Sequence, residues 1–266
     1  MDVIQPTSQP ANGYIIYEQP LNERIRTFLR LEFLSQQLDN ALSGYSEQHN
    51  RQAIHSLLNI LTIFERGDLK LEVIKELERL IATLSALEDS PGVDKQMLDT
   101  LLADLDIVID SLHTSQSAIG AGLRDNDFIY SIRQRSSIPG GACSFDLPSY
   151  HFWLQHTSDA VRHQQLLDWV STFTHIRSAI STTLRLIRES THYASLTATA
   201  GFYQHGLDSS QPNQLIRIRL PQHSAYYPEV SAGKHRFTVH FMEFDLNQRA
   251  RQTSEDISFS LSCCAM

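Results

Sequence analysis

The 266-residue sequence predicts an α+β fold: a mainly α-helical domain followed by a small antiparallel β-sheet domain. Between residues 22 and 190 apolar side chains recur every three or four positions, the period of a helix with one buried stripe. After Thr191 the period falls to two, that of a half-buried strand. Glycine, proline and serine cluster where one segment gives way to the next.

In chain order, Met1 to Gly13 is polar, carries Pro6 and Pro10, and reads as a disordered tail. Tyr14–Glu18 is a short β-prone run ahead of Pro20. Asn22–Leu42 predicts a helix with Ile25, Phe28, Leu31, Leu34, Leu38 and Ala41 on one stripe, ended by Gly44. A second helix runs from Glu47 to Glu65, with Ile54, Leu57, Leu58, Leu61 and Phe64 inward. Gly67 interrupts the chain, Asp68 caps a third helix (69–87), and Asp94 caps a fourth to about Leu112. Short helices follow at 125–135 and 149–154, on either side of a loop, Ser136–Pro148, rich in glycine and proline. Asp159 opens one long helix to about Ser190, with Val161, Leu166, Trp169, Phe173, Ile176, Ile180, Leu184 and Ile187 as its spine. Strands are expected at 198–204, 215–220, 236–244 and 256–261, and Tyr14–Glu18 can join them. The expected domains are the 1–13 tail, a helical domain over 19–194, and a β-domain over 195–266 with strand 14–18.

The net charge is −8 and its distribution is uneven: residues 1–133 carry 20 acids and 11 bases, residues 134–266 carry 10 and 11. An acidic chain of this kind is not expected to bind nucleic acid or an anionic membrane, both of which call for a positive surface field. No run of eighteen apolar residues is present, so no membrane span is expected. Cys143, Cys263 and Cys264 are too few for a disulfide framework and point to reduced thiols in the cytoplasm.

In strand 234–241, Lys234, Arg236, Thr238 and His240 alternate with apolar partners; in strand 215–220, Arg217 and Arg219 alternate with Ile216, Ile218 and Leu220. If the two strands pair, Arg217, Arg219, Lys234, Arg236 and His240 form one cationic face. Such a face is either simply solvated or a dock for a carboxylate-bearing peptide, which arginine holds bidentately. Arg26 and Arg30 on the first helix, Arg133 and Arg135 before the glycine loop, and Arg66 at a helix corner are further basic candidates. Each also has a plain reading as a helix-surface or helix-end charge. Gly140-Gly141-Ala142-Cys143, with His151 eight residues on, leaves a cysteine-loop hydrolase as the alternative function, but the signatures of cysteine hydrolases are missing. The twelve histidines show no metal spacing, and no nucleotide motif is present, so neither metal nor cofactor is expected.

Long strings carry a resemblance. Tyr17-Glu18-Gln19-Pro20-Leu21-Asn22-Glu23-Arg24-Ile25-Arg26-Thr27-Phe28-Leu29-Arg30-Leu31-Glu32-Phe33-Leu34, Phe64-Glu65-Arg66-Gly67-Asp68, the run from Arg133 to Pro148, Gly201-Phe202-Tyr203-Gln204 and Cys263-Cys264 resemble the ZapD family of Z-ring-associated cell-division proteins. The likeness covers roughly residues 14 to 264; the longer N-terminal tail and the final Ala265-Met266 depart from it. It implies a non-enzymatic homodimer that binds the C-terminal tail of the tubulin-like GTPase FtsZ, cross-links its filaments and works at the midcell ring. Matched by motif, Arg66 and Arg236 are the implied contacts, with Arg26 and Arg30 behind them. His240 stands where the family strand can carry a second arginine, which makes that contact weaker or pH-dependent.

Overall fold

The computed structural model describes residues 13–65, 67–88, 90–114, 119–208 and 210–266. Of the expected tail only Gly13 falls within them, and Arg66 lies outside the described residues. The chain divides into two units, Thr27–Leu184 on the one hand and Met1–Arg26 with Arg185–Met266 on the other.

The helical segment runs α1 (Glu23–Leu42), α2 (Glu47–Phe64), α3 (Leu69–Ser85), α4 (Lys95–Thr114), α5 (Ala121–Arg124), α6 (Asp127–Ser136), α7 (Pro148–His156), α8 (Asp159–Ser171) and α9 (Thr174–Glu189). The starts are set by short polar side chains that take up orphan backbone N–H groups. Asp68 accepts from Leu71 N, Asp94 from Met97 N and Asn126 from Ile129 N. The expected stripes are buried: Ile54, Leu57, Leu58, Leu61 and Phe64 of α2 face inward, as do Val73, Leu77 and Leu80 of α3. Each such side chain contributes about 1.5–3 kcal/mol through removal from water. Phe128, Tyr150, Trp153 and Trp169 form an aromatic cluster with centroids 5.6–6.3 Å apart. In the buried Arg162, Nη1 donates to the carbonyls of Leu154 and Thr157 and Nη2 to Asp159, while Nε has no partner among the described residues.

The single long helix expected from 159 to 190 is two. Thr172 caps α8, its Oγ1 donating to the Trp169 carbonyl, and α9 restarts at Thr174. Val161, expected in the spine, is exposed. The loop after α6 is a chain of tight turns: Ile138 N donates to Arg135 O, Gly141 N to Ile138 O and Cys143 N to Gly140 O. A Cβ on Gly141 would sit 2.3 Å from Arg135 O, so the turn excludes any larger residue.

The strands are β1 (Tyr14–Pro20), β2 (Ala194–Ala198), β3 (Phe202–Gly206), β4 (Asn213–Pro221), β5 (Tyr226–Ala232), β6 (Arg236–Glu243), β7 (Arg251–Gln252) and β8 (Ile257–Ala265). They form two antiparallel sheets, not one. The first has the order β1-β4-β8-β2; the second has the order β3-β6-β5, with β7 pairing β6. Their apolar faces share one core of Ile216, Ile218, Leu220, Phe237, Val239, Phe241, Ile257, Phe259 and Leu261. Tyr203 and Phe241 meet Phe259 at 5.2 and 5.0 Å, which stitches sheet to sheet.

The run 198–204, expected as one strand, is a corner. β2 ends at Ala198 in the first sheet, and β3 begins at Phe202 in the second. Ala200 (φ 48°) and Gly201 (φ 68°) make the turn. A Cβ on Gly201 would approach Thr253 O to 2.6 Å.

Candidate functional site

The strand pairing assumed for the cationic face does not occur. β4 lies between β1 and β8, β6 between β3 and β5, and the two belong to different sheets. Because Ile216, Ile218 and Leu220 meet Phe237, Val239 and Phe241 in the core, Arg217 and Arg219 point out of one sheet while Arg236 and His240 point out of the other. The five-residue face is therefore two faces turned away from each other.

On the first sheet, Arg217 stands opposite Glu18 of β1 in register. Its Nε donates to Glu18 Oε1 at 2.9 Å. Arg188 approaches the same carboxylate from the end of α9, with Nε to Oε1 at 2.9 Å and Nη2 to Oε2 at 2.7 Å. Arg217 Nη1 also reaches the Arg188 carbonyl. The three side chains are only 15–22 % exposed. Arg217 is thus part of a half-buried two-to-one ion cluster that ties β1, β4 and the end of α9 together. Two positions on, the Arg219 guanidinium lies between two tyrosine rings, 4.5 Å from the Tyr14 centroid and 4.4 Å from that of Tyr193. Burial pushes the Tyr193 phenol up, against the pull of Arg217 and Arg219.

On the second sheet, Arg236 opens β6 and is exposed, and Lys234 occupies the exposed turn before it instead of the strand. Neither has an acidic partner among the described residues. His240 is half-buried between Phe202 and Glu229 in register. Gln252 spends its Nε2 on the Ala200 carbonyl, so its Oε1 accepts from His240 Nδ1 at 2.7 Å. That leaves Nε2 of the imidazole facing away from the bond.

The other basic candidates are on helices. Arg26 lies 3.5 Å from Glu23, and Arg30 is exposed on the same helix. Arg133 makes a double hydrogen bond to Glu65. That bond holds the Glu65 carboxyl below its usual range and raises the Arg133 guanidinium. Arg135 is 3.7 Å from Asp146. Arg135 also lines a cavity of about 490 Å³ beneath the glycine loop, with Arg51, His55 and Cys143. The Cys143 thiol donates to the Asp146 carboxylate, Sγ to Oδ2 3.4 Å. His151, its expected partner in a hydrolase, is exposed beside Glu47. Among the described residues no group of His, Cys, Asp and Glu is arranged to hold a metal ion, and no helix is long and apolar enough to cross a membrane.

Sequence reasoning missed the roles of Glu18, Tyr14 and Tyr193. The first two share a face of β1, the period-two signal that marked the arginines. The β1–β4 register sets Glu18 opposite Arg217, and Tyr14, opposite Pro221, reaches diagonally to Arg219.

Fold and surface together define an α+β protein in which helices occupy the chain between the first and second strands of a β-sandwich. A family model described as a cell division protein, ZapD, matches residues 29–240. The cell division protein ZapD of Methylococcus capsulatus is 37% identical over 252 residues, which cover 95% of this chain and 98% of that protein. That of Coxiella burnetii is 39% identical over 252 residues, with 94% and 97% covered. That of Bordetella petrii is 36% identical over 251 residues, with 94% and 99% covered. The chain belongs to the ZapD family of cell division proteins, as its motif strings indicate.

Proposed function

We propose that this chain binds the C-terminal tail of FtsZ and, as a homodimer, cross-links FtsZ filaments at the midcell division ring without catalysing a reaction. Membership of the ZapD family over almost its whole length carries the reading. The surface supports it physically. Lys234 and Arg236 are exposed cations in an acidic chain, and their donors are not spent on a neighbouring carboxylate, so an incoming anionic peptide meets little competition. Two such sites on a two-fold dimer hold two tails, and a filament that presents many tails multiplies weak contacts.

The test is co-sedimentation of FtsZ polymers with the protein. Full-length FtsZ should pellet as bundles together with it, and FtsZ lacking its tail should not. Bundling that survives tail removal would sink the tail assignment, and no co-sedimentation at all would sink the function. Arg236→Glu should abolish bundling, and raising salt from about 50 to 300 mM should weaken it through screening.

A further inference from the structure

The outer face of the β1-β4-β8-β2 sheet carries an arginine treated unlike its neighbours. Arg217 and Arg188 share Glu18. Arg219, on the same face, has neither ion pair nor hydrogen bond among the described residues, and its guanidinium lies against the rings of Tyr14 and Tyr193. Its Nε is shut off from solvent with no acceptor, and the Tyr193 hydroxyl beside it is likewise shut off and unpartnered. Buried donors are normally satisfied, and leaving one unmet costs about 1–3 kcal/mol. The Arg219 charge has no anionic partner among the described residues.

The two rings pack against the guanidinium. An arginine packed in this way loses less rotamer freedom when it takes up a ligand, and its fork matches a carboxylate. The surroundings are apolar: Tyr14, Ile15 and Ile16 are 38, 37 and 45% exposed, and Ile16 stands opposite Arg219 in register. β1 pairs with β4 alone among the described residues, so its other edge has backbone groups open to an added strand.

We infer that the Tyr14–Arg219–Tyr193 clamp is a carboxylate-binding site that anchors an extended acidic peptide along the edge of β1. This deepens the proposed function, on which it rests, by assigning a tail carboxylate to a second contact, on the sheet facing away from Arg236. The carboxylate accepts from the guanidinium, while apolar residues of the peptide cover Ile15 and Ile16.

Binding of a fluorescent FtsZ C-terminal tail peptide to the full chain, followed by anisotropy, tests this. Arg219→Gln should weaken binding about tenfold, the loss expected for one charge-assisted bidentate contact. Arg219→Lys should fall between the two, since it keeps the charge and loses the fork. A peptide with its side-chain carboxylates replaced by amides and its C-terminus amidated should no longer distinguish Arg219→Gln from wild type. On the unaltered protein, the Arg219 Nε–Hε resonance should shift when peptide is added, a readout that needs no variant to fold. If Arg219→Gln binds within twofold of wild type and the resonance stays still while Arg236→Glu abolishes binding, the clamp assignment is overturned and the proposed function stands. If the wild-type chain does not bind the tail peptide, both fall.

Discussion

Arg217 and Arg236 are the same residue in the same local pattern, each alternating with three core-facing apolar side chains, yet they lead opposite lives. Arg217 is largely covered, fastened to Glu18 and to the Arg188 carbonyl. Arg236 stands exposed at the start of its strand with no ion pair among the described residues. The difference lies in the neighbouring strand. β1 sets a glutamate opposite Arg217, whereas β3 sets Gly206 opposite Arg236. Alternation tells which way an arginine points; the cross-strand partner decides whether it braces the fold or is left for another molecule.

That contrast can be broken at Glu18. Glu18→Ala leaves two guanidiniums facing each other with no counter-charge, and partial burial keeps water from screening them fully. The expected loss is on the order of 2–3 kcal/mol, below the range for a fully buried pair, seen as a lower urea midpoint. A loss under about 0.5 kcal/mol would place the cluster with ordinary surface pairs.

An intermediate case is Glu65 with Arg133. The hydrogen bond from Arg133 lowers the Glu65 carboxyl below its usual 4.5. A depressed folded-state value contributes stability that is complete above the unfolded pKa and is lost as pH falls through the folded one. The urea midpoint of Glu65→Gln should therefore lie below wild type at pH 7, and the two should converge as pH falls below the usual carboxyl value of 4.5 and through the lowered one. Parallel curves would show that the bond is not what titrates. The smallest effect belongs to Arg236→Gln, which should shift the unfolding free energy by no more than about 0.5 kcal/mol. A larger shift would show Arg236 to be a brace like Arg217.

The helices were legible because their signals are local. Asp68 and Asp94 announce the starts of α3 and α4, and the stripe of α2 is buried as its spacing predicts. The break between α8 and α9 left no trace, since Leu166, Phe173 and Ile180 keep the same spacing across it. The sheets were harder. The corner at Ala200-Gly201 sits inside a run that reads as one strand, and an alanine at positive φ has no sequence signature. β5 is absent from the expected strands, and it carries Pro228 in its middle; an edge strand tolerates that proline, as its missing N–H takes no bond from the ladder. The division of β4 and β6 between two sheets depends on pairing partners far apart in the chain, which no local pattern encodes. The family strings supplied the identity, but they could not show which arginines are already engaged.

The ion cluster closes a long span. Glu18 and Arg217 are 199 residues apart, and the helical segment lies between them in the chain. At roughly 5–20 residues per second, a ribosome takes about 10–40 seconds to supply β1 with its partner. Even then the first sheet is incomplete, for β8, the latest strand to be made, takes a place between β4 and β2. Helices can settle during synthesis; this sheet closes from its middle and at the end. A premature stop within residues 257–265 would therefore remove not an edge but the centre of the sheet, leaving β4 and β2 with open flanks.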